Sequence, residues 1–199
     1  MLWSKTRGAS PMPWKCARLR LSRAMGYTFH RIFCATPGDL EAERDAFHTV
    51  LAEFDEAEAM PRDILLVPVT VTPNMYDLEY YRAAIDENVR AVRYYVQVLS
   101  DTWGRPPRSF EHAFGTATQA LEDPRIPLKE IVVLFKAQPP ERAVDAGITW
   151  LKAELAAGAG PRSFEFGDLE TYKQVLRGLL GEWLETIAPR ESGGAGGDR

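Results

Sequence analysis

Trp103, Gly104, Arg105, Arg108, Ser109 and Glu111 crowd into one short stretch of this 199-residue chain, and their side chains suit a small anionic or aromatic ligand. An indole can stack on a ring, guanidinium groups can hold phosphate or carboxylate, and Glu111 supplies a carboxylate beside them. A second candidate lies upstream, where Thr36-Pro-Gly-Asp39 follows an apolar run. Thr36 offers a hydroxyl, Gly38 allows close backbone approach, and Asp39 stands at the start of a helical pattern, an arrangement that favours anions. Each feature also has a purely structural reading. Glu111 and Asp39 can serve a helix dipole, Thr36 can cap a helix with Pro37 in its first turn, Trp103 can anchor a loop, and Arg105 and Arg108 can simply be solvated.

Positioning these residues requires elements that bring residues 35–39 and 100–109 together. Short β-branched and aromatic runs at 27–35, 64–71, 94–99, 130–136 and 163–166 alternate with segments of helical period, the pattern of a parallel sheet covered by helices on both faces. Residues 96–99 and 131–135 are continuously apolar and read as central strands, whereas Pro68 and Glu165 mark the second and fifth runs as edges. The order 2-1-3-4-5 of a flavodoxin-like three-layer sandwich places those two outside. Ligands of such sheets bind beyond the carboxyl ends of the strands where the order reverses, here between strands one and three. The third helix carries its apolar stripe on Phe110, Ala113, Phe114, Ala117 and Leu121. Glu111 lies roughly 80 to 100° from that stripe, overhanging the crevice, and His112 points to water. His30, His48 and Cys34 read as structural.

Composition narrows the functions. Hydrophobic residues make up 45% and charged residues 26%, as in globular domains, and the net charge is -4. That balance excludes a sequence-independent nucleic-acid binder, which needs a basic face. The basic residues are uneven, with Lys5, Arg7, Lys15, Arg18, Arg20 and Arg23 and no acid in residues 1–24. Two cysteines in unlike surroundings suggest neither a disulfide framework nor a metal site, and the expected compartment is reducing and cytoplasmic. No apolar run is long enough to cross a bilayer, so no membrane partner is expected. The expected organisation is a disordered basic extension over 1–25, one domain over 26–188 and a flexible glycine-rich tail over 189–199. A start at Met25, directly before the first strand-like run, is an alternative reading of the extension.

Arg31-Ile-Phe-Cys-Ala-Thr-Pro-Gly-Asp-Leu-Glu-Ala-Glu-Arg-Asp45 resembles the opening signature of the domain of unknown function numbered 4062: a strand ending in small residues, a Thr-x-x-Asp-Leu turn and a Glu-Arg pair. Trp103-Gly104 is similar to that family's aromatic-Gly pair, and Ser109-Phe-Glu-His-Ala113 to its Ser-x-x-Glu-x-x-Ala pattern, one residue shorter. The family resembles the Toll/interleukin-1 receptor-like (TIR-like) superfamily, which also holds the nucleoside 2-deoxyribosyltransferases. Phe110-Glu-His-Ala-Phe-Gly-Thr-Ala117 is similar to the Trp-Glu-x-Gly-x-Ala stretch of those enzymes, with the glycine displaced.

Two functions follow from the resemblance. One is a self-associating interaction or signalling module, acting with a separate effector protein and sensing a nucleotide. The other is an NAD or nucleoside N-glycosidase using Glu111, whose carboxylate would stabilise the positive charge that develops on the ribose. NAD or a nucleotide would then be ligand or substrate, with no resident cofactor or metal. Cys34 and Ala35 replace the more usual Ser-Ser, and no second catalytic acid is placed. Two neighbours of the same fold fit less well: a phospho-acceptor receiver needs paired acids where Ala35-Thr36 stands, and a flavodoxin needs more hydroxyls than this loop's one.

Overall fold

The computed structural model describes residues 26–71, 78–104, 110–139, 141–158 and 160–188. The expected extension over 1–25 and tail over 189–199 lie outside them, as do Arg105, Arg108 and Ser109. Five strands alternate with five long helices: β1 (Thr28–Ala35), α1 (Glu41–Phe54), β2 (Ile64–Val69), α2 (Leu78–Arg90), β3 (Tyr94–Leu99), α3 (Glu111–Glu122), β4 (Glu130–Lys136), α4 (Ala146–Ala156), β5 (Arg162–Phe166) and α5 (Leu169–Ile187). Between α1 and β2 the chain widens into a π-helical turn, Asp55–Ala59, and closes with a 3₁₀ turn, Met60–Arg62. All strands pair in parallel in the order β2-β1-β3-β4-β5. This is the expected flavodoxin-like α/β sandwich.

Alternation along each strand sorts the core into two layers. Ile32 and Cys34 of β1, Tyr94, Val96 and Val98 of β3, and Val132 and Leu134 of β4 face α1 and α5, where Phe47, Leu51, Leu176 and Trp183 close over them. Phe33, Ala35, Tyr95 and Ile131 face the other way, under Ile85 and Val89 of α2 and Ala113 and Ala117 of α3. Leu99, Val133 and Phe135 continue that second layer beneath Ile148, Leu151 and Leu155 of α4. Strand β3 is buried along its whole length, as its apolar run requires. Pro68 stands on the outer strand, paired with Ile32, where its missing N–H costs no ladder bond on the inner side.

One expectation fails locally: Leu121 was placed on the buried stripe of α3 but is 39% exposed. The stripe of α3 instead includes the buried Thr116, because its hydroxyl donates to Asp86 Oδ1 across the α2–α3 seam at 2.7 Å.

Candidate functional site

The chain leaves β1 through Thr36 and Pro37, both buried, and makes one turn closed by Leu40 N–H donating to Pro37 O at 3.0 Å. Helix α1 starts only at Glu41, and Leu40 caps it without a side-chain hydrogen bond. Thr36 therefore does not cap the helix, and Pro37 sits in the turn rather than in its first positions. The Thr36 hydroxyl instead lies 3.2 Å from Cys34 Sγ, whose thiol burial pushes up to about 12 against the opposing hydrogen bond of Thr36. The first helical turn carries Glu41 and Glu43, which suit its positive end. Glu43 is 2% exposed and turns inward, where Lys136 Nζ at the end of β4 approaches its Oε1 to 2.7 Å. This ion pair ties α1 to β4 over the intervening strand.

Strand β3 ends in a second polar knot. Ser100 and Asp101 are buried; Ser100 Oγ donates to Asp101 Oδ1 at 3.2 Å, and Gln138 Nε2 donates to Ser100 Oγ at 2.7 Å. Arg142 Nε donates to Asp101 Oδ2, and the Asp145 N–H to the Asp101 carbonyl at 2.8 Å. Burial would raise the Asp101 carboxyl, but hydrogen bonds from Arg142, its own backbone and Ser100, with the Arg142 charge, hold it below the usual carboxylate value. The β4–α4 connection is thus stitched over the end of β3. Two hollows of about 260 Å³ each meet along Ser100, Lys136 and Gln138. One is bordered by Asp39, Leu40 and Arg142, the other by Ile148, Thr149 and Lys152 of α4.

The residues singled out in sequence are distributed around this cleft. Asp39 lines the first hollow, and Gly38 is exposed, with nothing within 4 Å of a Cβ built there. Trp103 and Gly104 lie on the α3–α4 side of the sheet. The Trp103 ring is half-buried, 5.5 Å from Phe114, against the Leu99, Phe135 and Ile148 cluster. Its carbonyl accepts from the Phe110 N–H at 2.8 Å. Gly104 adopts φ +97°, a conformation that favours glycine, and its N–H donates to Thr102 Oγ1 at 3.2 Å.

Glu111 is the first residue of α3, exposed, and among the described residues has no hydrogen-bond or ion-pair partner. It borders neither hollow. His112, expected to face water, has Nε2 2.9 Å from Asp86 Oδ1 and joins the Thr116 contact between α2 and α3. Buried Gln97 fills the space beneath: its Nε2 donates to Ala35 O at 3.1 Å and its Oε1 accepts from the Tyr95 hydroxyl at 2.7 Å.

Gln138 and Arg142 escaped the sequence reading, and Lys136 was not counted among the ligand-binding residues although it ends an apolar strand run. Strand-order reversal directed attention to β1 and β3, whereas the hollows extend across β3 onto β4. The arrangement can hydrogen-bond a polar ligand and offer it two cations, each already facing a carboxylate. Among the described residues, no helix is long and apolar enough to cross a membrane, and no group of three or more His, Cys, Asp or Glu could hold a metal ion.

No protein-family model and no curated protein matches this sequence. Among solved structures, the apo form of translation elongation factor SelB from Methanococcus maripaludis is similar at 13% identity and a TM-score of 0.43. The match covers 80% of this chain and 35% of that one, a likeness that carries no argument about function.

Proposed function

We propose that this chain is a TIR-like interaction module of the cytoplasm that takes a nucleotide in the carboxyl-edge cleft, self-associates and acts through a separate effector protein. One observation carries the reading. Helix α4 borders the cleft through Ile148, Thr149 and Lys152 and turns Trp150, 65% exposed, toward solvent, so ligand and protein surfaces share one helix. Lys136 and Arg142 are the groups a phosphate would meet, and it would compete there with Glu43 and Asp101. Light scattering over a concentration series, with and without nucleotides, tests the reading. Concentration-dependent association is expected, strengthened by a nucleotide that calorimetry shows to bind. A strict monomer under every condition overturns it.

The glycosidase reading is kept by one feature, the exposed Glu111 at the first turn of α3, which has no partner among the described residues. Incubation with NAD and assay of free nicotinamide separates the readings. Release that is abolished by Glu111→Gln establishes the glycosidase. No release, or equal release by the variant, removes it.

A further inference from the structure

A hollow larger than either part of the cleft shares no lining residue with it. A groove of about 570 Å³ runs between the end of α1, the π-helical turn and the second half of α5. Phe54, Ala57 and Leu184 provide its apolar floor, and Glu53, Glu58 and Glu185 its acidic rim. Arg177 pairs with Glu53 at 2.7 Å and Arg62 with Glu185 at 2.8 Å. Arg62 also reaches Glu58 at 4.0 Å, and Glu182 on α5 is paired with Arg162 at 2.7 Å. With Glu53, Glu58 and Glu185 against Arg62 and Arg177, the lining keeps an excess of negative charge, to which the exposed Glu56 adds.

Two features of α5 and α1 keep this groove open. Gly178 and Gly181 occupy the helix interior of α5, where glycine is the least favourable residue after proline. A Cβ at either would meet nothing within 4 Å, so no contact inside the described fold demands glycine there. Helix α1 passes into a π-helical turn at the groove, a widening that disfavours the ordinary helical ladder and recurs at functional positions. Gly181, bare of a side chain, on one wall and a widened turn on the other suit a chain laid between them.

The N-terminal segment enters the fold at this end. The Thr28 N–H donates to the carbonyl of Asp63 at 2.9 Å, and Asp63 directly follows Arg62 of the groove. Residues 1–25 precede that point, enough chain to span up to about 80 Å if extended. Their composition complements the groove, with six basic side chains, no acid, and Trp3 and Trp14 for the apolar floor. The other end of the chain also starts nearby, since Arg62 Nη1 donates to Ala188 O at 3.1 Å. Residues 189–199, however, balance Glu191 and Asp198 with Arg190 and Arg199 and hold no aromatic or large aliphatic side chain to fill an apolar floor. We infer that the basic, tryptophan-bearing segment 1–25 docks in cis in the acidic groove between α1, the π-helical turn and α5.

Carbodiimide coupling of the full-length chain tests this, because it joins a lysine amine to a carboxylate only where they touch. An equal mixture of ¹⁴N- and ¹⁵N-labelled protein distinguishes contacts within one chain from contacts between copies. Links from Lys5 or Lys15 to Glu53, Glu58 or Glu185 are expected, within single chains, with a yield unchanged on about tenfold dilution. Gly181→Phe, which fills the groove from a position with open space, should abolish them while leaving the melting temperature within a few degrees. A photo-reactive benzoylphenylalanine at position 14 covers the case in which neither lysine reaches a carboxylate, and should label residues 54–62 or 177–185. Heavy–light links making up about half of the total, as random pairing of copies in an equal mixture gives, links and labels elsewhere on the surface, or links that survive Gly181→Phe would overturn the proposal.

Discussion

At the residue scale, the two ion pairs of the cleft differ in how their members would fare alone. The Glu43 side chain is 3% exposed and that of Lys136 33%, so the lysine can return to water and the glutamate cannot. Removing the lysine should therefore hurt more. Lys136→Ala is expected to destabilise by about 3 kcal/mol, in the range for a stranded buried charge, and Glu43→Gln by about 1 kcal/mol. The double variant should be less destabilised than Lys136→Ala alone, and urea unfolding of all three closes the cycle. Equal losses from the single variants would mean that the pair is effectively exposed. The Asp101–Arg142 pair makes a prediction in pH. Asp101 titrates below an unfolded aspartate, so its contribution is present above about pH 4 and is lost as pH falls through the folded value. Arg142→Ala removes the main opposition to burial, so its stability deficit should be full at neutral pH and shrink below about pH 4. A deficit independent of pH would assign Arg142 a packing role only.

At the scale of elements, one side chain of α5, among several buried against the sheet, makes three kinds of contact. Trp183 is 2% exposed, stacks on Tyr94 with ring centres 4.3 Å apart, and donates from Nε1 to Glu130 Oε2 at 2.6 Å. Trp183→Phe keeps much of the ring and loses the donor, an expected cost of about 2 kcal/mol for a hydrogen bond to a charged group. Trp183→Ala should cost about 3 to 5 kcal/mol. A lower urea midpoint with unchanged slope confirms each as a stability effect. The elements were also the most legible part of the sequence. The runs at 94–99 and 130–136 match β3 and β4 to the residue, because continuous apolar character is a local consequence of burial on both faces. The start of α1 was misread because Thr36-Pro37 has the composition of a cap, and only the turn through Leu40 places the helix later. The cleft was half legible. Asp39 was named from its neighbours in sequence, but the partnership of Glu43 with Lys136 depends on α1 crossing β3, and that of His112 with Asp86 on α2 lying against α3.

For the whole molecule, the sheet itself is poorly suited to assembly. Its outer strands are β2, which carries Pro68, and β5, which has five residues, and both features blunt edge-to-edge pairing. The self-association proposed above must then use a helical face. Helices α1 and α5 pack on each other over one side, and α2 and α3 over the other, leaving α4 beside the edge strand β5. Its inward residues Ile148, Leu151 and Leu155 are buried, while Trp150 is 65% exposed with the exposed Ala146 and Ala153 one turn to either side. An exposed indole, flanked here by Ala146, Ala153 and the exposed Glu154, can bury a large apolar area against a partner with little loss of side-chain freedom. Trp150→Glu should leave folding within about 0.5 kcal/mol of the parent, because the ring makes little of the core. It should weaken self-association about tenfold or more, as loss of an interface anchor does. Sedimentation velocity beside a urea melt reads both quantities on one preparation. Association unchanged in a folded Trp150→Glu protein would move the interface off α4, and with it the link between cleft and partner.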